Sequence, residues 1–322
     1  MKWILAHGDC DGICSCAIAF SIFKNANIFF SHPIGLANDL KQVDGDLLVL
    51  DIALSSKELD NVLKELKRIY ENGNKIIYID HHPFPKNFNS NLFYGELFHS
   101  LSSSTSELTF MKFKDYLNME IGRIAIYGAI GDYLDRTPNI EKLLEYWDKR
   151  TLYLESGLLI AAIESMGRDY DIKRELVKYL SENKLPSNNE DLVEMAIREV
   201  SKEEEMRKII EKEVKTIGKI AYLLDIKWSL GKSAIYARAI TNSIVGIGAE
   251  NRKNFIDMSL RTPFEYIKLN EIVMEIAEEL GGSGGGHRKA VGARIPKEYF
   301  YDFLNKLNEK VLNLTKIVNI EY

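Results

Sequence analysis

His7-Gly8-Asp9-Cys10-Asp11-Gly12 follows the apolar run Trp3-Ile4-Leu5-Ala6 and precedes Ile13-Cys14-Ser15-Cys16-Ala17-Ile18-Ala19-Phe20, which reads as the start of a buried helix. A strand whose carboxyl end points at a helix N-terminus is where open α/β sheets place their chemistry. Alternate side chains of an extended segment share a side, so His7, Asp9 and Asp11 project together. Carboxylates converging there repel one another unless a cation lies between them. An oxygen-rich set with some imidazole favours Mn2+ or Mg2+ over a structural zinc. Taken alone, the hexapeptide also fits an Asp-rich turn in which Gly12 supplies a positive φ.

The flanking chain alternates strands and helices. Ala26-Asn27-Ile28-Phe29-Phe30 reads as a second strand, and Asp46-Leu47-Leu48-Val49-Leu50-Asp51 as a buried strand ending in an acid. From Ser55 to Asn72, Leu59, Val62, Leu63, Leu66 and Ile69 recur at helical spacing, and Gly73-Asn74 stops that helix. Lys75-Ile76-Ile77-Tyr78-Ile79-Asp80-His81-His82-Pro83 is another strand ending in acid and imidazoles. The Ser/Thr residues of Leu101–Glu107 suit an N-cap for a helix reaching Tyr116. Ile124 to Asp132 is a further apolar run ending in Asp, whose small residues leave helix or strand open. A lone acid at a strand end is usually a cap or turn residue. Acids and imidazoles closing several consecutive parallel strands would instead meet along one edge of the sheet.

The chain has 322 residues, beyond the size at which one core keeps growing, so two domains are expected. With 46% hydrophobic and 28% charged residues the composition is that of an ordinary globular protein. No unbroken apolar run approaches about 18 residues and no signal-peptide pattern opens the chain, which reads as a cytoplasmic enzyme without a membrane partner. Cys10, Cys14 and Cys16 are the only cysteines. Crowded together, they form no disulfide framework and no tetrahedral metal set, and read as small packing residues. A net charge of −5 argues against a nucleic-acid coat protein, which would be strongly basic. It leaves room for a nuclease that grips its polyanion at a metal cluster and a basic pocket.

The set His7-x-Asp9-x-Asp11-Gly12, Leu50-Asp51, Asp80-His81-His82 and Gly131-Asp132 resembles, in order and spacing, the motifs of the DHH phosphoesterases. These include RecJ-type exonucleases, NrnA-type oligoribonucleases, cyclic-dinucleotide phosphodiesterases and family II pyrophosphatases. The resemblance implies two Mn2+ ions, with Mg2+ as the alternative. One would be held by His7, Asp9 and Asp51, the other by Asp11, Asp51, His81 and Asp132, with Asp51 bridging. It also implies that His82 faces the phosphate, that Asp80 orients the histidines from behind, and that the Cys10 side chain points away from the acids.

Residues from Ile140 to about Ile217 are helical in composition, broken most clearly at Pro186-Ser187-Asn188-Asn189, and Tyr170 to Ser187 resembles a portion of archaeal RecJ-like proteins. Met206, Ile209, Ile210, Val214 and Ile217 predict an amphipathic helix joining two domains. The expected division is a parallel-sheet DHH domain over residues 1–200, a linker helix over 201–217, and a smaller α/β domain over 218–322. In the last, Lys219–Ile226 and Asn254–Leu260 read as strands and Glu271–Leu280 as a helix.

Gly281-Gly282-Ser283-Gly284-Gly285-Gly286-His287-Arg288-Lys289 places five glycines in six positions before a basic trio. Glycines let the backbone approach a ligand and turn N–H groups toward an anion, and a plain linker has little reason to adjoin such a trio. The run resembles the glycine-histidine motif of the DHH-associated C-terminal domain, and Ser259-Leu260-Arg261 its substrate-contacting arginine strand. Gly284, Gly285, Gly286, His287, Arg288 and Arg261 would then contact substrate. Family II pyrophosphatases close their site with a different domain. The expected activity is therefore a two-metal RecJ-like exonuclease releasing mononucleotides from single-stranded DNA or RNA, with replication or repair proteins as partners. The alternative is an NrnA-type enzyme for short oligoribonucleotides, adenosine bisphosphate or cyclic dinucleotides. A catalytically dead scaffold would lack a metal ligand, and none of the expected ligands is missing.

Overall fold

Along Trp3–Ala6 (β1), Ile4 and Ala6 enter one hydrophobic cluster and Leu5 another. A strand with apolar side chains on both faces needs cover on both, which is the pattern of a buried parallel sheet. The computed structural model, which describes residues 1–317, meets that need in its first unit, Met1–Val200. Cys10–Ile22 (α1) follows β1, then Asn27–Phe30 (β2), Leu36–Leu40 (α2), Leu47–Leu50 (β3), Leu59–Glu71 (α3), Ile76–Asp80 (β4) and Glu96–His99 (β5). These five strands are all parallel, in the order β2-β1-β3-β4-β5. The order reverses between β1 and β3, and a doubly wound sheet opens its ligand crevice at the carboxyl ends of such a pair. His7 and Asp51 follow those two ends directly.

One face is covered by α2 and α3. The other is covered by α1, Thr105–Phe113 (α4), Gly122–Gly131 (α5), Pro138–Leu144 (α6), Lys149–Met166 (α7) and Tyr170–Ser181 (α8). Nearly every residue of α1 is buried, because α4, α5 and α8 all pack against it. Its three free cysteines lie in that core as small packing residues. The run ending at Asp132 proves to be helix α5.

Glu190–Glu213 (α9) ends before the expected limit at Ile217. Lys215–Ile217 (β6) instead pairs with Ile220–Leu224 (β7) around Gly218, whose φ is +56°. Val214, Thr216 and Ile217 are β-branched, and that local preference for an extended chain overrides the helical spacing. The unit Ser201–Tyr322 continues with Leu230–Thr241 (α10), Val245–Arg252 (β8), Phe255–Arg261 (β9), Leu269–Glu279 (α11), Ser283–His287 (β10), Ala290–Pro296 (β11) and Phe300–Ile317 (α12). The last five residues of the expected 218–322 domain, 318–322, lie outside the described residues. The sheet order is β10-β11-β9-β8-β7-β6, mixed, with β7 and β8 parallel and the other pairs among the described residues antiparallel. No helix among the described residues is long and apolar enough to cross a membrane.

Candidate metal centre

Asp51 leaves the end of β3 with φ 61°, a left-handed conformation that costs a non-glycine residue of order 1–3 kcal/mol. It is buried, and its Oδ1 accepts from Thr105 Oγ1 at 2.9 Å, while Oδ2, also buried, has no hydrogen-bond partner. Strain and an orphaned carboxylate oxygen at one residue mark a side chain suited to ligating a cation. Burial, then the nearby Asp9 and Asp11, push its carboxyl well above the usual range.

Asp11, fully buried in the first turn of α1, accepts from the backbone N–H groups of Thr105 (2.6 Å) and Ser106 (2.9 Å). These amides open α4, whose N-cap is Ser104, so a helix N-terminus holds this anion. Burial and Asp132 nevertheless raise Asp11 to about 6. His81 Nε2 lies 3.0 Å from Asp132, 3.4 Å from Asp51 and 3.9 Å from Asp11. Burial pushes this imidazole down, but Asp132 and Asp51 outweigh it and raise His81 to about 12.

His7 Nδ1 lies 2.8 Å from Asp9 Oδ2, which raises His7. Asp9 also caps α1, accepting from Gly12 N–H at 3.0 Å. Desolvation pushes Asp9 up, but His7 and that cap hold it far below the usual range. Asp80, buried at the end of β4, accepts from His82 Nδ1 at 2.8 Å and from the His82 N–H at 3.3 Å. This bond fixes the imidazole ring and its tautomer. Cys10 turns its thiol to the Tyr127 carbonyl at 3.7 Å, away from the acids.

The eight expected residues of the first unit thus converge. His7, Asp9 and Asp51 bring ligand atoms within 4.8 Å of one another; so do Asp11, Asp51 and His81, and so do Asp51, Asp80 and His82. Asp51 belongs to all three groups. The donors are oxygens with some imidazole, and the cluster concentrates negative charge that only cations or protons can relieve. The residues therefore fit hard divalent cations.

Sequence reasoning missed three contributors. Thr105 and Ser106 hold the acids through the bonds above, although their segment reads only as a helix cap. Lys173, 5% exposed on α8, donates from Nζ to the Gly8 carbonyl at 2.6 Å. No sequence pattern ties α8 to the first motif. Lys173→Ala removes that donor and its buried stem and should lower stability by about 2 kcal/mol in denaturant unfolding. Lys178→Ala, which breaks only a surface pair with Glu175, should stay within about 0.5 kcal/mol. Equal effects would deny Lys173 a special role.

In the second unit the expected glycine loop is a hairpin: Gly284–Gly286 lie in β10, paired with β11, and Arg288-Lys289 form its turn. Gly286 has φ +135°, and a Cβ there would meet the Ala290 carbonyl at 2.5 Å, so pairing requires glycine. Gly285 has open space where a Cβ would stand. The register Arg261↔Ala290↔His287 brings Arg261 and His287 to one end of three adjacent strands. Arg261 Nη1 donates to Ser259 Oγ (2.8 Å) and the Leu260 carbonyl (2.9 Å). Lys289 pairs with Glu265 at 2.7 Å, while Arg288 is exposed.

Residues 3–131 match the family model described as DHH family, N-terminal domain, and residues 217–313 match the DHHA1 domain. No curated protein matches the sequence. RecJ from Thermus thermophilus, solved with Mn2+, is 17% identical with a TM-score of 0.68, covering 97% of this chain and 52% of that one. The chain thus spans about half the length of that RecJ. The DHH domain of a member of the s1p family of ribosomal proteins is 16% identical with a TM-score of 0.68, covering 96% of this chain and 86% of that one. The pGpG-specific phosphodiesterase PggH from Vibrio cholerae is 15% identical with a TM-score of 0.59, covering 97% and 99%.

Proposed function

We propose that this chain, which carries the DHH and DHHA1 domains of a family of metal-dependent phosphoesterases, is a Mn2+-dependent exonuclease that removes mononucleotides from single-stranded nucleic acid. The observation that carries this reading is the convergence of three donor groups on the strained, half-orphaned Asp51. His7, Asp9 and Asp51 would hold one cation, and Asp11, Asp51, His81 and Asp132 a second. Two such ions supply Lewis acidity and lower the pKa of a water. The chain's own groups do the remaining work. Asp80 holds His82 in one orientation, so that its imidazole meets a phosphoryl oxygen as charge develops there. The Thr105 and Ser106 amides keep Asp11 in place while its partners change. In the second unit the exposed Arg288, with His287, Arg261 and the glycine backbone of β10, binds the terminal nucleotide.

A second reading, a small-substrate phosphoesterase, draws on the match along nearly all of PggH, whose name specifies pGpG. Incubation with end-labelled DNA and RNA oligomers of graded length, in Mn2+ and then Mg2+, separates the two. The exonuclease should shorten a long single strand stepwise to mononucleotides and cut the duplex poorly. Activity confined to dimers through pentamers, or to adenosine bisphosphate, would move the assignment to the second reading.

A further inference from the structure

Helix α5 ends in a turn that glycine normally makes. Asp132 is the C-cap, the Tyr133 N–H donates to the Ile130 carbonyl at 3.2 Å, and the Leu134 N–H donates to the Ala129 carbonyl at 2.8 Å. That pair of bonds is a Schellman closure, whose residue after the cap must be left-handed and is usually glycine. Here it is Tyr133, at φ 58°. The same residue is 80% exposed, the highest fraction among the exposed large hydrophobic residues described. Its ring and hydroxyl make no hydrogen bond or ring contact with any described residue. A tyrosine therefore stands where both the backbone and the solvent disfavour it, and nothing within the described fold compensates. Strain retained without structural return is a mark of function.

The location says which function. Tyr133 adjoins Asp132, whose carboxylate lies 3.0 Å from His81 Nε2, so its Cα sits one residue, about 3.8 Å, from that of a proposed metal ligand. Arg136, three residues on, is exposed and makes no ion pair with any described residue. The nearby Asp135 carboxylate is engaged instead by the Tyr153 hydroxyl, and Lys149 Nζ lies 5.4 Å from the Tyr153 ring centroid. An exposed aromatic ring followed three residues on by an exposed guanidinium is a pairing suited to single-stranded nucleic acid, the ring stacking a base and the cation meeting the backbone.

We propose that Tyr133 is a stacking platform for a nucleobase next to the phosphodiester held at the cluster, with Arg136 meeting the adjoining backbone phosphate. This rests on the nuclease reading of the cluster and adds to it the feature of substrate that is recognised, the flat face of a base. Because every base has such a face, the platform is indifferent to sequence.

Tyr133→Gly separates the platform from the fold, because glycine relaxes the turn while removing the ring. Its thermal midpoint should rise by about 1–3 °C. Its affinity for a phosphorothioate single-stranded DNA should fall by about 5- to 150-fold, the range for one lost base–aromatic stack. Tyr133→Phe should bind like wild type, and calorimetric titration with Mn2+ should be unchanged in both. The same oligomer with abasic sites at its end should bind wild type and Tyr133→Gly equally. Tyr133→Gly binding the intact oligomer as tightly as wild type would overturn the platform alone. Wild type that takes up Mn2+ but binds no oligomer would overturn the nucleic-acid reading and the platform with it.

Discussion

Replacing Asp51 with alanine is expected to abolish phosphodiester hydrolysis and, in metal-free protein, to leave the fold at least as stable as before. The first half follows from the site's connectivity. Asp51 belongs to all three groups of ligand atoms drawn from the first unit, so its loss weakens both proposed cation sites at once. Metal-ion stabilisation of a transition state amounts to several kcal/mol, and at tenfold per 1.4 kcal/mol the rate should drop by roughly 10^3 or more. The second half follows from electrostatics. Burial and the neighbouring acids raise the folded-state pKa of Asp51 above its unfolded value. An acid shifted in that direction costs stability as pH rises past the unfolded value, about 4, and costs nothing below it. Asp11, raised to about 6, adds a similar cost that grows as pH rises toward neutrality. Metal-free Asp51→Ala should therefore melt at or above wild type near pH 7–8, the gap closing toward pH 4. Adding Mn2+ should reverse the order, since only wild type gains stability from tight binding. Near wild-type turnover by Asp51→Ala in excess Mn2+ would refute the shared-carboxylate assignment. Ser102→Ala, on the loop before α4, should be silent.

What the sequence made legible was the sheet edge, because strand-end acids and imidazoles are set by local chain direction. Leu47–Leu50 is apolar throughout and must be buried on both faces, so the next residue, Asp51, has to emerge at the carboxyl edge. The same logic placed His7 and Asp80-His81-His82. It failed where a long-range contact decides. Whether Ile124–Gly131 is helix or strand depends on its packing against α1 and α4, and periodicity is mute when every position is apolar or small. Lys173 reaches Gly8 across 165 positions, which only the packing of α8 on α1 makes adjacent. The glycine run reads as backbone that approaches a ligand closely. In β10 one thing it approaches is its own partner strand, since Gly286 needs its missing side chain to pair beside Ala290. The exposed Gly285 remains open for a ligand.

Gly12 does a different job from the one its place in an Asp-rich turn suggests, and it yields the sharpest test of how the first motif is built. Its φ is not positive; it lies within α1. What it needs is space, because a Cβ there would stand 2.3 Å from the His7 carbonyl oxygen and 2.8 Å from its carbon. The obstacle is backbone, and that backbone cannot yield cheaply. The His7 N–H donates to the Leu50 carbonyl at 3.1 Å, tying β1 to β3, while the Gly12 N–H donates to the Asp9 carboxylate that caps α1. Gly12→Ala must therefore push α1 away from β1, moving Asp9 and Asp11 relative to Asp51. Overpacking of this kind should cost about 2–4 kcal/mol in denaturant unfolding. The shift of metal ligands should cost roughly 10^2-fold in turnover even where the protein remains folded, since about 1 Å of misplacement has that effect. Gly157, in helix α7 with open space around its Cβ position, is the control. Gly157→Ala should gain about 0.5–1 kcal/mol from helix propensity and leave turnover unchanged. If Gly12→Ala also proved neutral in stability and turnover, the tight passage of α1 over the end of β1 would not be what holds the metal motif together.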